Sequence, residues 1–427
     1  MTGPAGELKI IAVGDELLEG RTADTNSGRI QRALGGHALR CALIQVVPDD
    51  EEAIGAALDR TVPGDLVFMS GGLGSTPDDL TRDVLARWAD VPLDQDPGVR
   101  AQLEERWRQR GVATSPGIER QCEVPRGLAA VPNPVGSAPG LVGRLSGRMF
   151  VLLPGVPPEL VGLLPAVIAR LEQEGALPAP RATLVRRTAQ YPELKLVQRC
   201  AAAREAYPRL GWSWWLSDWG VDVRVSAGAG DEGQLEAAGS MLDAEFGRLV
   251  YARDGADLPT TVVTLATARG RSLAVAESCT GGLVGGALTG VAGASACFRG
   301  GIIAYADQAK RDQLGVPAAV LQADGAVSEA SVRAMAAGCR ERLGADLAVS
   351  VSGISGPGGG SEAKPVGTTW IGLASPSGTF AQCLRFPGDR ARNRLLAVAA
   401  ALDALRRALE DGAADSPWRH GDTWWRS

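Results

Sequence analysis

The sequence predicts an α/β protein with two sheet-and-helix domains and a small α+β segment between them. Three observations carry this. From Leu8 onward, short apolar runs alternate with helix-length stretches, which is the β-α-β-α order of a parallel sheet covered by helices. The alternation is interrupted after Ala176 to Pro180, an Ala- and Pro-rich linker, and resumes near Leu258. The chain of 427 residues is long enough for two or three domains with their own cores.

In the first domain, residues 1–175, a strand spans Leu8 to Val13 and is followed by Gly14-Asp15-Glu16-Leu17. A helix is expected around Asn26 to Leu34, a strand near Leu39 to Val47, an acidic helix start over Asp49 to Glu52, and a strand over Asp65 to Ser70. That last strand runs into Gly71-Gly72-Leu73-Gly74, and a second acidic helix start follows at Asp78-Asp79-Leu80-Thr81. In such a sheet the ligand site belongs at the carboxyl ends of the strands. The remainder of this domain reads as a looser, turn-rich half, with Pro132 to Gly136 and Leu153 to Pro158 as its markers.

The connector, residues 181–254, combines a helix-like stretch, a Trp-rich run (Trp212, Trp214, Trp215, Trp219), a strand over Val221 to Ser226, a helix over Glu232 to Phe246 and a strand near Arg248 to Ala252. The tryptophans are expected in the core rather than in a base-stacking platform, since no Arg or Lys pattern accompanies them. The last domain, residues 258–410, shows strands at Ser272 to Ala276, Gly301 to Tyr305, Leu347 to Val351 and Thr368 to Ala374, and a closing helix over Asp389 to Leu409. Residues 411–427 read as a polar tail whose tryptophans, Trp418 among them, are free to dock.

Composition limits the chemistry. A formal net charge of -5 without blocks of Lys or Arg argues against direct nucleic-acid binding. Seven dispersed cysteines, with no C-x-x-C, read as reduced thiols and not as zinc ligands. No signal peptide or bilayer-length apolar run is present, so a cytoplasmic protein without a membrane partner is expected. The two histidines, His37 and His420, leave a hydrolase to find another base or a carboxylate-held metal.

Four segments carry candidate chemistry. In Ala276-Glu277-Ser278-Cys279-Thr280-Gly281-Gly282 a strand ends and a helix begins. Helix-terminal amides there suit a phosphate or the oxyanion formed by a serine nucleophile; a plain cap by Ser278 or Thr280 is the other reading. Tyr305 ends the next strand, and Lys310 follows it on a helix. A lysine becomes a base only if its pKa is lowered, and otherwise Lys310 is a surface residue. Ser352-Gly353-Ile354-Ser355-Gly356 leads into a Gly-rich loop where backbone approaches a ligand or makes a tight turn. Gly388-Asp389-Arg390-Ala391-Arg392 opens the last helix, where an arginine either forks onto a phosphate or pairs at the surface.

Taken together, these segments resemble the nicotinamide-nucleotide amidase domain of the CinA (competence/damage-inducible protein A) family. Gly14 to Gly20, Asn26, Ser70 to Gly74, Asp78-Asp79-Leu80-Thr81, Asn133 to Gly140 and Leu153 to Pro157 resemble that family's molybdopterin-binding-like N-terminal domain. The resemblance implies hydrolysis of nicotinamide mononucleotide (NMN) to nicotinic acid mononucleotide and ammonia, with no cofactor. Ser278 would be the nucleophile, Lys310 its base and Tyr305 an assistant. Thr280, Gly281, Gly282, Ser352, Gly353, Gly356 and Arg392 would bind substrate, Arg392 at the phosphate. The resemblance also implies a metal-dependent ADP-ribose pyrophosphatase in the N-terminal domain. There Gly71, Gly72, Gly74 and Thr81 would meet phosphate, and Asp15, Asp78 and Asp79 would hold Mg²⁺ or a similar divalent ion; each aspartate reads equally well as a helix-start carboxylate. Relatives favour a homodimer. Two competing readings stand beside this one: a pterin-binding N-terminal domain, and a non-enzymatic scaffold in DNA uptake or damage response.

Overall fold

Strand β1 (Leu8–Val13) is buried on both faces, and its sequence accordingly reads as an apolar run broken only by Lys9, which pairs with Asp65. Residues 6–37, 39–109, 111, 118–228, 230–412 and 417–418 are described in the computed structural model. The chain divides into two compact units, residues 1–181 and 182–427.

In the first unit, β1 is followed by β2 (Cys41–Val47), β3 (Leu66–Ser70), the short strands β4 (Leu93–Gln95) and β5 (Glu123–Pro125), and then β6 (Leu128–Val131), β7 (Gly140–Leu145) and β8 (Arg148–Leu153). Six of these form one sheet in the order β2-β1-β3-β8-β7-β6. β2, β1, β3 and β8 are parallel, whereas β7 pairs antiparallel with both β8 and β6. The expected all-parallel sheet is therefore corrected to a mixed one, and the "looser half" supplies three of its strands. The β7–β8 hairpin turns on Ser146 and Gly147, with φ of 47° and 76°, the left-handed pair that matches hairpin twist. Side chains alternate between two helical layers. Ile10, Phe68 and Val151 pack with Ile30, Leu160 and Leu163 on one face; Ile11, Met69 and Leu152 pack with Ile54, Leu58 and Val84 on the other.

The second unit holds two sheets. β9 (Thr183–Ala189), β10 (Gly211–Leu216), β11 (Gly220–Ser226) and β12 (Val250–Ala252) form an antiparallel sheet in the order β10-β11-β9-β12. The Trp-rich run is itself the edge strand β10. Trp212 and Trp214 pack against the core of this sheet, but Trp215 is 52% exposed, under the guanidinium of Arg224. Only part of the cluster is core, because alternate residues of an edge strand face outward.

β13 (Leu273–Glu277), β14 (Phe298–Ile303), β15 (Leu347–Gly353), β16 (Thr368–Ser375) and β17 (Gly378–Arg385) form the other sheet, in the order β14-β13-β15-β16-β17. β14, β13 and β15 are parallel; β16 and β17 are antiparallel additions. Helices Leu258–Ala268 and Arg390–Glu410 cover one face, and helix Glu329–Leu343 the other. Ala189, Tyr251 and Ala252 of the small sheet belong to the same core as Val262, Val275 and Leu402. Arg406, fully buried, donates to the Arg248 carbonyl at 2.8 Å. The connector and the last sheet thus share an interior. Trp418 packs against it, while His420, Trp424 and Trp425 of the tail lie outside the described residues. All seven cysteines are unpaired, and no helix among the described residues is long and apolar enough to cross a membrane.

Candidate functional sites

Ser278 is the first residue beyond β13. Its amide donates to the Val351 carbonyl at 2.9 Å, which prolongs the β13–β15 pairing by one residue and fixes where the chain leaves the sheet. Ser278 is buried to 8% exposure, and its hydroxyl carries no hydrogen bond among the described residues. The chain then turns through Gly281 and Gly282, with φ of 61° and 100°, values that favour glycine.

The amides of this turn differ from expectation. The Gly281 N–H donates to the Ser278 carbonyl at 3.1 Å. The Glu277 carboxylate, 1% exposed, accepts from the amides of Gly282, Val284 and Gly285 at 2.9, 3.1 and 2.8 Å. The start of helix Leu283–Thr289 is therefore closed by an internal anion, and neither Ser278 nor Thr280 caps it. The Gly281 and Gly282 amides are engaged, so the expected role for them as ligand-binding amides is corrected. Thr280 is fully buried, and its hydroxyl has no hydrogen-bond partner among the described residues.

Lys310 lies on helix Asp307–Leu314 with its side chain 1% exposed. Its ammonium donates to the main-chain carbonyl of Tyr305 at 2.8 Å and stands 3.7 Å from the Asp307 carboxylate. Burial pushes its pKa below the ordinary lysine value, with Asp307 opposing. Cys279, next to Ser278, is close enough to act on it electrostatically; the Cys279 thiol is itself pushed up to about 11 by burial. The surface-lysine reading is thereby excluded. The Tyr305 ring, in contrast, projects outward from a residue that is 62% exposed. What Tyr305 contributes to Lys310 is its carbonyl.

The remaining expected residues separate into two groups. The Ser352 hydroxyl, on a residue 1% exposed, donates to the Ala326 carbonyl at 2.7 Å, so its proton is already committed. Gly353 is packed so closely that a Cβ would lie 2.8 Å from the Thr369 hydroxyl, and one on Gly356 would lie 2.7 Å from Val366. Both glycines are required by chain packing. On the last helix, Asp389 caps the N-terminus by accepting from the Arg392 amide at 2.8 Å. Arg390 donates to the Gly356 carbonyl at 2.8 Å, Asn393 to the Ser355 carbonyl at 3.2 Å, and Arg394 to the Cys279 and Thr280 carbonyls at 3.0 and 2.8 Å. These three share one helical face. The Arg392 guanidinium, half-buried, has no hydrogen bond or ion pair among the described residues. Sequence reading missed Glu277, Asn393 and Arg394. The available signal was a carboxylate five residues before a Gly at a helix start, and an i, i+3, i+4 polar set after a cap.

In the first unit a cavity of about 640 Å³ opens at the carboxyl ends of the strands, lined by Glu16, Asn26, Asp49, Gly72, Asp78 and Asp79 among others. Asp79 faces inward on its own loop, accepting from the amides of Gly74 and Thr76 at 2.7 and 2.8 Å and from the Thr76 hydroxyl at 2.5 Å. The Gly71 amide donates to the Leu153 carbonyl, and the Thr81 hydroxyl donates to the Gly71 carbonyl. Of the three glycine amides expected to meet phosphate, only that of Gly72 is without a partner among the described residues. Asp15 and Asp49 exchange main-chain bonds, each carboxylate accepting from the other's amide, at 3.1 and 3.3 Å. Burial and the charges of Asp15, Glu16 and Asp78 raise the Asp49 pKa. No group of three or more His, Cys, Asp or Glu side chains among the described residues is arranged to hold a metal ion. Asp15, Asp78 and Asp79 therefore do not fit the divalent site expected of them, chiefly because Asp79 is committed to its own loop.

Comparison with known proteins agrees with this division. Residues 255–409 match the model of the CinA C-terminal domain, and residues 9–173 that of a probable molybdopterin binding domain. A CinA-like protein of Gemmatimonas aurantiaca is 38% identical over 424 residues, covering 96% of this chain and 98% of its own length. One from Anaeromyxobacter dehalogenans is 40% identical over 416 residues, covering 94% of this chain and 100% of its own. Among solved structures, a CinA superfamily protein from Klebsiella pneumoniae is 39% identical over 36% of this chain and 96% of its own, with a TM-score of 0.35. By its similarity to full-length relatives, the chain belongs to the CinA family.

Proposed function

We propose that the second unit hydrolyses the carboxamide of NMN. The observation that carries this reading is the lysine: a buried ammonium with a lowered pKa, set beside the turn that begins with an unengaged serine hydroxyl. Lysine depressed in this way is the base that a histidine-free site needs. In the proposed reaction Lys310, as the neutral amine, takes the proton of Ser278 Oγ while that oxygen attacks the carboxamide carbon. The tetrahedral intermediate collapses with loss of ammonia, which leaves with the proton returned by Lys310. Water, deprotonated by the same amine, then attacks the acyl ester, releases nicotinic acid mononucleotide and restores the serine. Arg392 holds the phosphate, since its guanidinium is the one on that helix start without a protein partner.

The purified protein, given NMN, is expected to release ammonia and nicotinic acid mononucleotide in equal amounts. Ser278→Ala and Lys310→Ala should each lower the rate by about 10³-fold or more. Intact, folded protein that releases neither product would overturn the reading.

For the first unit we propose that the cavity, where the Gly72 amide is without a partner among the described residues, binds a nucleotide, with ADP-ribose as the candidate. A calorimetric titration with ADP-ribose in the absence and presence of Mg²⁺ tests it. No heat in either condition would remove ADP-ribose.

A further inference from the structure

We infer that Arg394 is a positioning residue for the nucleophile turn, with Glu277 holding the same turn from the opposite side. The inference rests on the reading of Ser278 as nucleophile. It accounts for two buried or half-buried charged groups that the proposed reaction does not use.

The geometry is specific. Three successive carbonyls follow from Ser278. That of Ser278 accepts from the Gly281 amide at 3.1 Å, that of Cys279 from Arg394 Nε at 3.0 Å, and that of Thr280 from Arg394 Nη2 at 2.8 Å. Because a peptide unit is planar, fixing two consecutive carbonyls fixes the planes after Cys279 and after Thr280, and with them the course of the chain just beyond Ser278. One rigid guanidinium does this; a lysine ammonium, a point charge on a flexible stem, does not reproduce the fork. Across the turn, the Glu277 carboxylate takes the amides of Gly282, Val284 and Gly285. The carbonyl side of the turn is therefore held by a cation and its amide side by an anion.

The same face of the last helix reaches the second loop of the site. Asn393 donates to the Ser355 carbonyl, and Arg390 to that of Gly356. Arg392, one residue off this face, is left for substrate. The helix start thus separates two tasks by periodicity: positions 390, 393 and 394 anchor loops, and position 392 faces ligand. Lys310, anchored to the Tyr305 carbonyl on another element, is independent of Arg394, and this makes the inference testable.

The experiment uses the full chain as Arg394→Met, Arg394→Lys and Glu277→Gln. Three readings are taken: kcat and KM for NMN across pH, the rate at which a fluorophosphonate labels Ser278 (followed by mass spectrometry), and the melting temperature. R394M is expected to lower kcat on the order of 10²-fold, the cost of a displaced reacting group. KM should stay within about threefold. Labelling should slow by the same factor as kcat, and the apparent pKa of the rate profile should not move. R394K and E277Q should fall between R394M and wild type. Unchanged kcat and labelling in folded R394M would overturn the inference. So would a rise in KM alone, which would make Arg394 a ligand-binding residue, or the loss of labelling only in variants that have unfolded while R394K behaves as wild type. If wild type labels at Ser278 but leaves NMN intact, the NMN reading fails, and the labelling rates still decide the role of Arg394. Absence of labelling in wild type would sink both.

Discussion

Two glycine-rich turns occupy equivalent places in this molecule, one after β3 and one after β13. Both leave the carboxyl end of a central strand and precede a helix, and both would pass by eye for anion-binding loops. In each, a carboxylate of the chain has taken the amides. Asp79 closes the first turn, accepting from Gly74 and Thr76; Glu277 closes the second, accepting from Gly282, Val284 and Gly285. The difference lies in placement. Asp79 follows its loop and is half-buried, whereas Glu277 precedes its turn and is almost wholly buried. A half-buried carboxylate shares its bonds with water. A buried one depends on the protein donors alone, and they on it. Glycine after a strand therefore marks a tight turn first, and a phosphate site only where the amides remain free.

The largest effect that bears on this contrast is removal of Glu277. Glu277→Ala strips three amides, one buried and two half-buried, of their carboxylate acceptor and is expected to cost about 3 kcal/mol. Asp79→Ala is expected to cost about 1–2 kcal/mol, with water replacing part of what is lost. Urea unfolding of the two variants measures both; equal losses would break the contrast. Next in size is Arg392→Gln, expected to raise KM for NMN about tenfold or more with kcat retained, which steady-state kinetics would show.

A smaller effect concerns pH. In the proposed reaction the neutral amine of Lys310 is the active form, so kcat/KM should rise with pH through an apparent pKa below the ordinary 10.5. Between that lowered value and 10.5 the unfolded chain binds a proton that the folded chain lacks. Stability from this group therefore increases with pH across the window, and the burial penalty is fully present below it. Lys310→Met should remove the dependence and, at neutral pH, raise the melting temperature by roughly 2–4 °C while abolishing activity. A melting temperature lower than wild type would mean that the bond to Tyr305 outweighs the buried charge.

Much of the framework was legible from sequence because its strands are buried. β1, β3, β13 and β15 are near-continuous apolar runs of strand length, and the cap at Asp389 is local chemistry. The β7–β8 hairpin was not read, since Ser146-Gly147 is a less familiar turn pair than Asn-Gly and the flanking glycines suggested a loop. β17 was missed beside it, although Pro376-Ser377-Gly378 marks the turn into it. At the candidate site, the family resemblance singled out Ser278 and Lys310, but the burial of Lys310 was not legible in its local sequence. The buried placement of Thr280 and Ser352 was not legible either, because burial is set by elements far away in sequence. Glu277 and Arg394 were overlooked for the same reason: their partners are main-chain atoms, which leave no signature in side-chain identity.

That the lysine ammonium is held by the carbonyl of Tyr305, and not by its ring, has a consequence for sequence drift. Every residue has a carbonyl, so the anchor of the base survives almost any exchange at position 305, whereas its geometry depends on the backbone path between β14 and the next helix. Saturation mutagenesis should find position 305 permissive for whatever the anchored lysine does, proline excepted, and insertions or deletions between Ala304 and Asp307 intolerable.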